Sequence, residues 1–344
     1  MAAALLLALA AAAGPAVSLA PAQARPGDAV LVRVAGAGEA PAGTLAGRPL
    51  LFWREGTEWR AVGALPIETT PGQVTVAVEA GGARAEAPLD VVEPGFLSRS
   101  ITLPRRYVEP PVDPEIRARI ARDSRAFGRA WDQPPAPPSF LGGFGWPREA
   151  SVTGRFGDKR VLNRKKESVH YGLDLSGPRG SPVAAAADGV VVLARNAYYS
   201  GKTVALWHGG GVFTVYFHMD RIRVRAGAKV KKGERIGLLG ATGRSTGPHL
   251  HWGARVAGLY VDPESLVDID FGAGTAPPRR TREPPAPAPV AAEAPVEAPH
   301  AEAPPADVPP AAGKDAPPAA VPPAVVPPAR EEPPAPAPSA GPTR

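Results

Sequence analysis

Two short stretches gather the side chains able to do metal chemistry: His170-Tyr171-Gly172-Leu173-Asp174, and further along Gly247-Pro248-His249-Leu250-His251-Trp252. The chain has six histidines, and three of them stand here beside one aspartate. On a β-strand, residues two apart project to the same side, so His249 and His251 would share a face while Leu250 turns to the core. His170, Gly172 and Asp174 keep the same parity, and the glycine leaves room between the outer side chains. Two imidazoles and a carboxylate form a borderline-soft set that suits zinc, and three protein ligands leave a coordination position for water. A His-x-His taken alone is more commonly a half-buried pair with satisfied ring nitrogens.

The elements that must position these groups read as strands. Residues 190–193, 203–207, 212–217 and 235–239 are dense in β-branched and apolar side chains. Gly209-Gly210-Gly211 supplies a natural hairpin turn between two of them. No helical stretch of comparable length interrupts residues 151–268, which implies an antiparallel β-fold.

His170 with Asp174, followed by Gly247-Pro248-His249-Leu250-His251, resembles the signature of the lysostaphin/LytM-type zinc endopeptidases, the M23 peptidase family. The likeness covers about residues 150–268. It takes in Gly154-Arg155-Phe156-Gly157, the Pro182 to Gly189 turn, Tyr216-Phe217-His218-Met219, Val230-Lys231-Lys232-Gly233 and Gly240-Ala241-Thr242-Gly243-Arg244. The resemblance implies one Zn2+ per chain on His170, Asp174 and His251. It assigns His218 and His249 to the family's two non-ligand histidines, either of which could take a proton from water or hydrogen-bond the oxyanion. Tyr198 and Tyr199 stand where relatives carry an aromatic near the groove, for substrate contact or oxyanion support. The implied activity is endopeptidase cleavage of peptide stems or cross-links in bacterial peptidoglycan, with other cell-wall enzymes as a second class of partner. The alternative is a non-catalytic LytM-like domain that binds and activates cell-wall amidases; the intact set of ligand and histidine positions favours activity.

Rival readings fare less well. Gly243-Arg244-Ser245-Thr246-Gly247 matches the Gly-x-Ser-x-Gly elbow of α/β-hydrolases, and His208-Gly209-Gly210-Gly211 mimics their oxyanion loop. An elbow needs a helix after it, whereas Pro248 and a strand follow, so Ser245 reads as a turn residue shaping the loop into His249. The net charge of +6 favours anionic surroundings, yet no nucleic-acid-binding motif accompanies it. The cluster Arg155, Lys159, Arg160, Arg164, Lys165, Lys166 could attract an anionic substrate or form a solvated loop. Absence of cysteine excludes disulfides and thiolate metal sites.

The rest of the chain divides around this domain. Residues 1–24 read as a signal peptide ending at Ala22-Gln23-Ala24, which implies export to the periplasm or beyond, in association with the cell wall. No transmembrane helix is expected in the mature protein. Period-two patterns over 25–96 (Val30, Val32, Val34; Leu51 to Trp53; Val74, Val76, Val78; Leu89, Val91) predict a small β-sandwich for positioning or wall contact. Residues 97–150 form a connector with one helix, capped by Asp113 with Pro114 at its first position and running to Trp131. The M23-like domain occupies 151–272. Beyond it, 23 of the 45 prolines fall after Gly272, so 273–344 reads as a disordered Pro/Ala-rich tail, with His300 outside the site. The expected fold class is mainly β: sandwich, antiparallel catalytic domain and tail.

Overall fold

Alternation along one strand explains how the two folded modules are joined. In Ala29–Ala35, Val30, Val32 and Val34 face the sandwich core, while Ala29 and Leu31 face a second core shared with the following domain. The structure, a computed structural model, describes residues 14–272, so the expected tail, His300 and residues 1–13 lie outside the described residues. One sandwich sheet runs Ala16–Ala20, Ala29–Ala35, Glu58–Ala64, Trp53–Glu55; the other runs Gln23–Ala24, Ala83–Val91, Gly72–Ala80, Ala42–Leu45, Arg48–Pro49. Glu58–Ala64 lacks a clear alternation in sequence. It becomes a strand because its residues 59–64 pair with Ala29–Ala35, placing Ala61 in one core and Val62 and Ala64 in the other.

The boundary expected after Ala24 does not coincide with a break in the fold. Ala16–Ala20 pairs antiparallel with Ala29–Ala35, and Gln23–Ala24 runs parallel to Ala83–Val91. Val17 and Leu19 pack on the sandwich core. The apolar run that reads as the end of a leader thus supplies an edge strand, since alternate apolar residues serve either purpose.

The connector is more ordered than a tether. Asp113 Oδ1 accepts a hydrogen bond from the Glu115 N–H at 2.7 Å, and the helix Pro114–Trp131 ends where expected. Its Ala126, Phe127, Ala130 and Trp131 pack against Leu193, Ala205, Val215 and Phe217 on the outer face of the catalytic sheet. Ahead of it, Ser98–Ile101 adds a parallel strand to Lys159–Leu162, which pairs antiparallel with Lys166–Val169. Behind it, Phe140 and Phe144 pack with Phe271, Trp53 and the catalytic core.

The site rests on one antiparallel sheet ordered Val152–Gly154, Leu173–Ser176, His249–Val256, Val212–Met219, Gly201–Trp207, Gly189–Ala197, Lys229–Val230, with Leu259–Val261 beside His249–Val256. The turn Gly209-Gly210-Gly211 has all three residues at positive φ, a conformation open to glycine at little steric cost. Beneath it, His208 is fully buried, with Nδ1 donating to the Asp188 carbonyl at 2.7 Å and Nε2 hydrogen-bonded to Thr214 Oγ1 at 2.8 Å. Arg33, Arg60 and the Ala29 N–H tie the sandwich to the Asp270 and Phe271 carbonyls and to Ser265 Oγ.

Two outcomes follow from this packing. A chain beginning at Arg25 should be less stable than one beginning at Gly14 by at least about 1 kcal/mol, from lost Val17 and Leu19 burial; equal melting midpoints would refute the strand assignment. His208 is pushed down to about 4 by burial, below the roughly 6.5 of an unfolded histidine. The unfolded chain therefore takes the proton first, so this contribution is whole above pH about 6.5 and is lost as pH falls towards 4. Melting midpoints measured over that window should decline less steeply in His208→Gln than in the wild type.

Candidate metal centre

Strand register brings the two distant motifs together. In the pairing of Leu173–Ser176 with His249–Val256, Asp174 stands opposite His251 and Ser176 opposite His249. Leu173, Leu175, Leu250 and Trp252 project to the other face and are fully buried. His170 lies just before its strand, where its N–H donates to the Asp158 carbonyl at 3.0 Å. Gly172 is required at close quarters, because a Cβ there would stand 2.7 Å from His251 Nε2 and 2.6 Å from the Trp252 carbonyl oxygen.

Three donor atoms converge. His170 Nε2 is 3.0 Å from Asp174 Oδ1 and 2.9 Å from His251 Nδ1, and His251 Nδ1 is 3.1 Å from Asp174 Oδ1. His170 Nδ1 faces the Arg155 carbonyl at 2.7 Å; a carbonyl only accepts, so the proton sits on Nδ1 and Nε2 presents a lone pair. Burial pushes His251 down to about 4, keeping its ring neutral. Burial alone would raise Asp174, but His170, His251 and Arg160 outweigh it and hold the carboxyl well below the usual carboxylate range. A carboxylate and two neutral imidazoles so close repel one another unless a proton or cation lies between them. Tetrahedral bonds of about 2.0–2.1 Å would space the donors by roughly 3.3 Å, so the set fits a small divalent ion of the zinc type.

Arg160 completes the surroundings: its Nη2 donates to Asp174 Oδ2 at 2.5 Å, leaving Oδ1 for the cluster. Sequence reasoning placed Arg160 in a basic cluster without this role. The pairing of Lys159–Leu162 with Lys166–Val169, which aims it, is long-range from Asp174 and left no local signal. Gly154 gives the guanidinium its space, as a Cβ there would lie 2.8 Å from both Arg160 Nη2 and Asp174 Oδ2. Of the other basic residues, Arg155 instead pairs with Glu264 at 3.6 Å.

His218 and His249 face the same centre. His249 Nδ1 donates to the Gly247 carbonyl at 2.9 Å, with Ser245 Oγ 3.3 Å away, and its Nε2 lies 3.7 Å from Asp174 Oδ1. Ser245 Oγ itself donates to the Gly247 carbonyl at 2.7 Å, so it shapes this turn as expected. His218 Nδ1 donates to the Thr242 carbonyl at 2.8 Å, and its ring centroid is 4.8 Å from that of His249. Burial, then the neighbouring His249 and His251, push His218 down to about 3. Its φ of +61° is strained for a non-glycine residue, and the Ser200 carbonyl accepts its N–H at 2.9 Å.

A cleft of about 300 Å³ opens over these groups, with Tyr199, Arg244, Tyr260 and the connector's Ile101 and Leu103 among its walls. The two tyrosines diverge. Tyr199 lines the cleft, and burial raises its phenol, which stays a donor. Tyr198 turns away: its hydroxyl donates to the Arg106 carbonyl at 3.2 Å and its ring meets Tyr107 at 5.6 Å. Asp123 of the helix accepts from the Tyr198 N–H at 2.8 Å and pairs with Arg195 at 2.6 Å, which fixes this turn.

Known proteins resemble this chain over the domain that carries the site. Residues 168–263 match the family described as Peptidase family M23. A putative peptidase M23 from Pseudomonas aeruginosa superposes with a TM-score of 0.54 at 31% identity, the match covering 72% of this chain and 95% of that one. This chain belongs to peptidase family M23. Among curated family relatives, the peptidoglycan DD-endopeptidase ShyA of Vibrio cholerae serotype O1 is 48% identical over 98 residues, 28% of this chain and 23% of that protein. The DD-carboxypeptidase/endopeptidase Mpg of Neisseria meningitidis serogroup B is 44% identical over 99 residues, 29% of this chain and 23% of that protein. The chain thus spans less than a quarter of the length of these curated relatives.

Replacing Arg160 with methionine should leave Asp174 with one fewer partner and weaken zinc affinity about 10- to 100-fold, as loss of groups behind metal ligands commonly does. Competition with a chromogenic chelator reads this directly, and an unchanged affinity would remove Arg160 from the site.

Proposed function

We propose that the protein is an exported zinc-dependent endopeptidase that hydrolyses peptide stems or cross-links of peptidoglycan. One observation carries the reading: three metal-ligating atoms meet within 3.1 Å on the floor of an open cleft, and two further histidines share that cleft. The peptidoglycan substrate rests on the printed activities of the two curated relatives. Export rests on the apolar N-terminal run and on such a substrate lying outside the cytoplasm; among the described residues no helix is long and apolar enough to cross a membrane.

His170, Asp174 and His251 would hold the ion. When bound, zinc lowers the pKa of a coordinated water and polarises the scissile carbonyl. The histidines divide the remaining work. With its proton on Nδ1, His249 presents a lone pair at Nε2, which lies 3.7 Å from Asp174 Oδ1. It takes the proton of the attacking water and returns it to the leaving amine. His218 resists protonation and stays neutral, orienting the water as an acceptor at Nε2. The Tyr199 hydroxyl, kept protonated by burial, donates to the developing oxyanion.

Alanine at His170, Asp174 or His251 should abolish both stoichiometric zinc and release of new peptide ends from purified peptidoglycan. Alanine at His249 or His218 should retain zinc while lowering turnover about 10²- to 10⁴-fold. Metal analysis beside a digest assay separates the readings. Equal zinc loss in all five variants would overturn the division of roles, and full zinc without cleavage by the wild type would favour a non-catalytic activator of amidases.

A further inference from the structure

The cleft holds a second cation whose charge is unaccounted for. Arg244 lines the cleft, as Arg160 does, and is half-buried. Its guanidinium lies over the Tyr199 ring at 5.3 Å from the centroid, and the Arg244 backbone N–H donates to the Tyr199 carbonyl at 2.7 Å. Gly243 makes this approach feasible, since a Cβ there would fall 2.5 Å from the same carbonyl oxygen. Among the described residues no carboxylate pairs with Arg244. Asp174 is the only acidic residue among the described residues lining the cleft, and its Oδ2 is taken by Arg160. Burial disfavours the charge on Arg244, Tyr199 partly offsets this, and Arg160 adds to it. A guanidinium withdrawn from water without a counter-ion costs stability, whereas its planar fork matches a carboxylate in two-point contact.

We propose that Arg244 is a specificity-determining residue that receives a free carboxylate of the substrate peptide next to the scissile bond. The inference rests on the peptidase reading above for the substrate class. Stacking on Tyr199 holds the fork in place before substrate arrives, which reduces the ordering cost of binding. It also ties recognition to the residue assigned to the oxyanion, because the same side chain and backbone that seat Arg244 seat Tyr199. A substrate peptide can offer such a carboxylate at a chain terminus or on a side chain, and both present the same chemistry to the guanidinium.

The test uses the zinc-loaded full-length chain and a cross-linked stem-peptide dimer in three forms: both carboxylates free, the terminal one amidated, and the side-chain one amidated. Binding is measured by calorimetry on His249→Ala and on the double variant His249→Ala/Arg244→Gln; kcat/KM is measured on the wild type, Arg244→Gln and Arg244→Lys. Amidating one of the two positions should lower wild-type kcat/KM and His249→Ala binding by about 10- to 100-fold, the range of a hydrogen bond to a charged group; the position that matters identifies the source. Arg244→Gln should be as poor on the free form and indifferent to amidation, with Arg244→Lys between them. Arg244→Gln losing equally on all three forms would make Arg244 a support for Tyr199 and overturn the proposal, as would a wild type indifferent to both amidations. Arg244-dependent binding without any turnover would refute the peptidase reading and leave the carboxylate receptor standing.

Discussion

The pairing of Leu173–Ser176 with His249–Val256 is the constraint on which the rest of the site depends. In this register Asp174 faces His251, while Leu173, Leu175, Leu250 and Trp252 are buried on the opposite side of the sheet. A slip of one residue would exchange the two faces, sending leucines into the cleft and ligands into the core. Apolar burial therefore holds together groups that repel one another without an ion. Hydrogen bonds from the Nδ1 atoms of His170, His218 and His249 to three carbonyls then orient the rings. Those contacts cost no apolar area, and they commit each Nε2 to the cleft.

Charge is apportioned around that frame. Arg160 takes one oxygen of Asp174 and leaves the other to the cluster, so the carboxylate stays anionic in a buried setting. His218 and His251 stay neutral because burial disfavours a charged ring and the neighbouring histidines add to that. Among the described residues the cleft thus combines four imidazoles with two guanidiniums on its walls and a single acid on its floor.

Surrounding elements act as fixtures. The helix Pro114–Trp131 braces the outer face of the sheet and grips the Tyr198 turn through Asp123. The segment ahead of it lines the cleft with Ile101 and Leu103 and is tied down where Leu103 exchanges hydrogen bonds with Asn163 and Tyr107 meets Tyr198. The sandwich shares a core with the catalytic domain through Ala29, Leu31, Trp53, Val62 and Ala64, so it is built into the body that carries the cleft.

What was legible in the sequence was local. The i, i+2 parity of His249 and His251, the i, i+4 spacing of His170 and Asp174, the Asp113 cap with Pro114, and the triple-glycine turn each express geometry within a few residues. These were enough for the strands that carry Asp174, His249 and His251, for the helix and for a mainly β fold. Other features came from partners distant in the chain. Ala16–Ala20 reads equally as leader or edge strand until Ala29–Ala35 pairs with it. Glu58–Ala64 has no pattern of its own and is a strand because two cores share its faces. Tyr198 and Tyr199 are identical in sequence, and tertiary contacts alone turn one to the cleft and the other to the connector. Arg160 and Arg244 look like any surface arginines. Only the folding of 159–169 beside Asp174, and of 242–246 against Tyr199, brings both charges to the cleft wall.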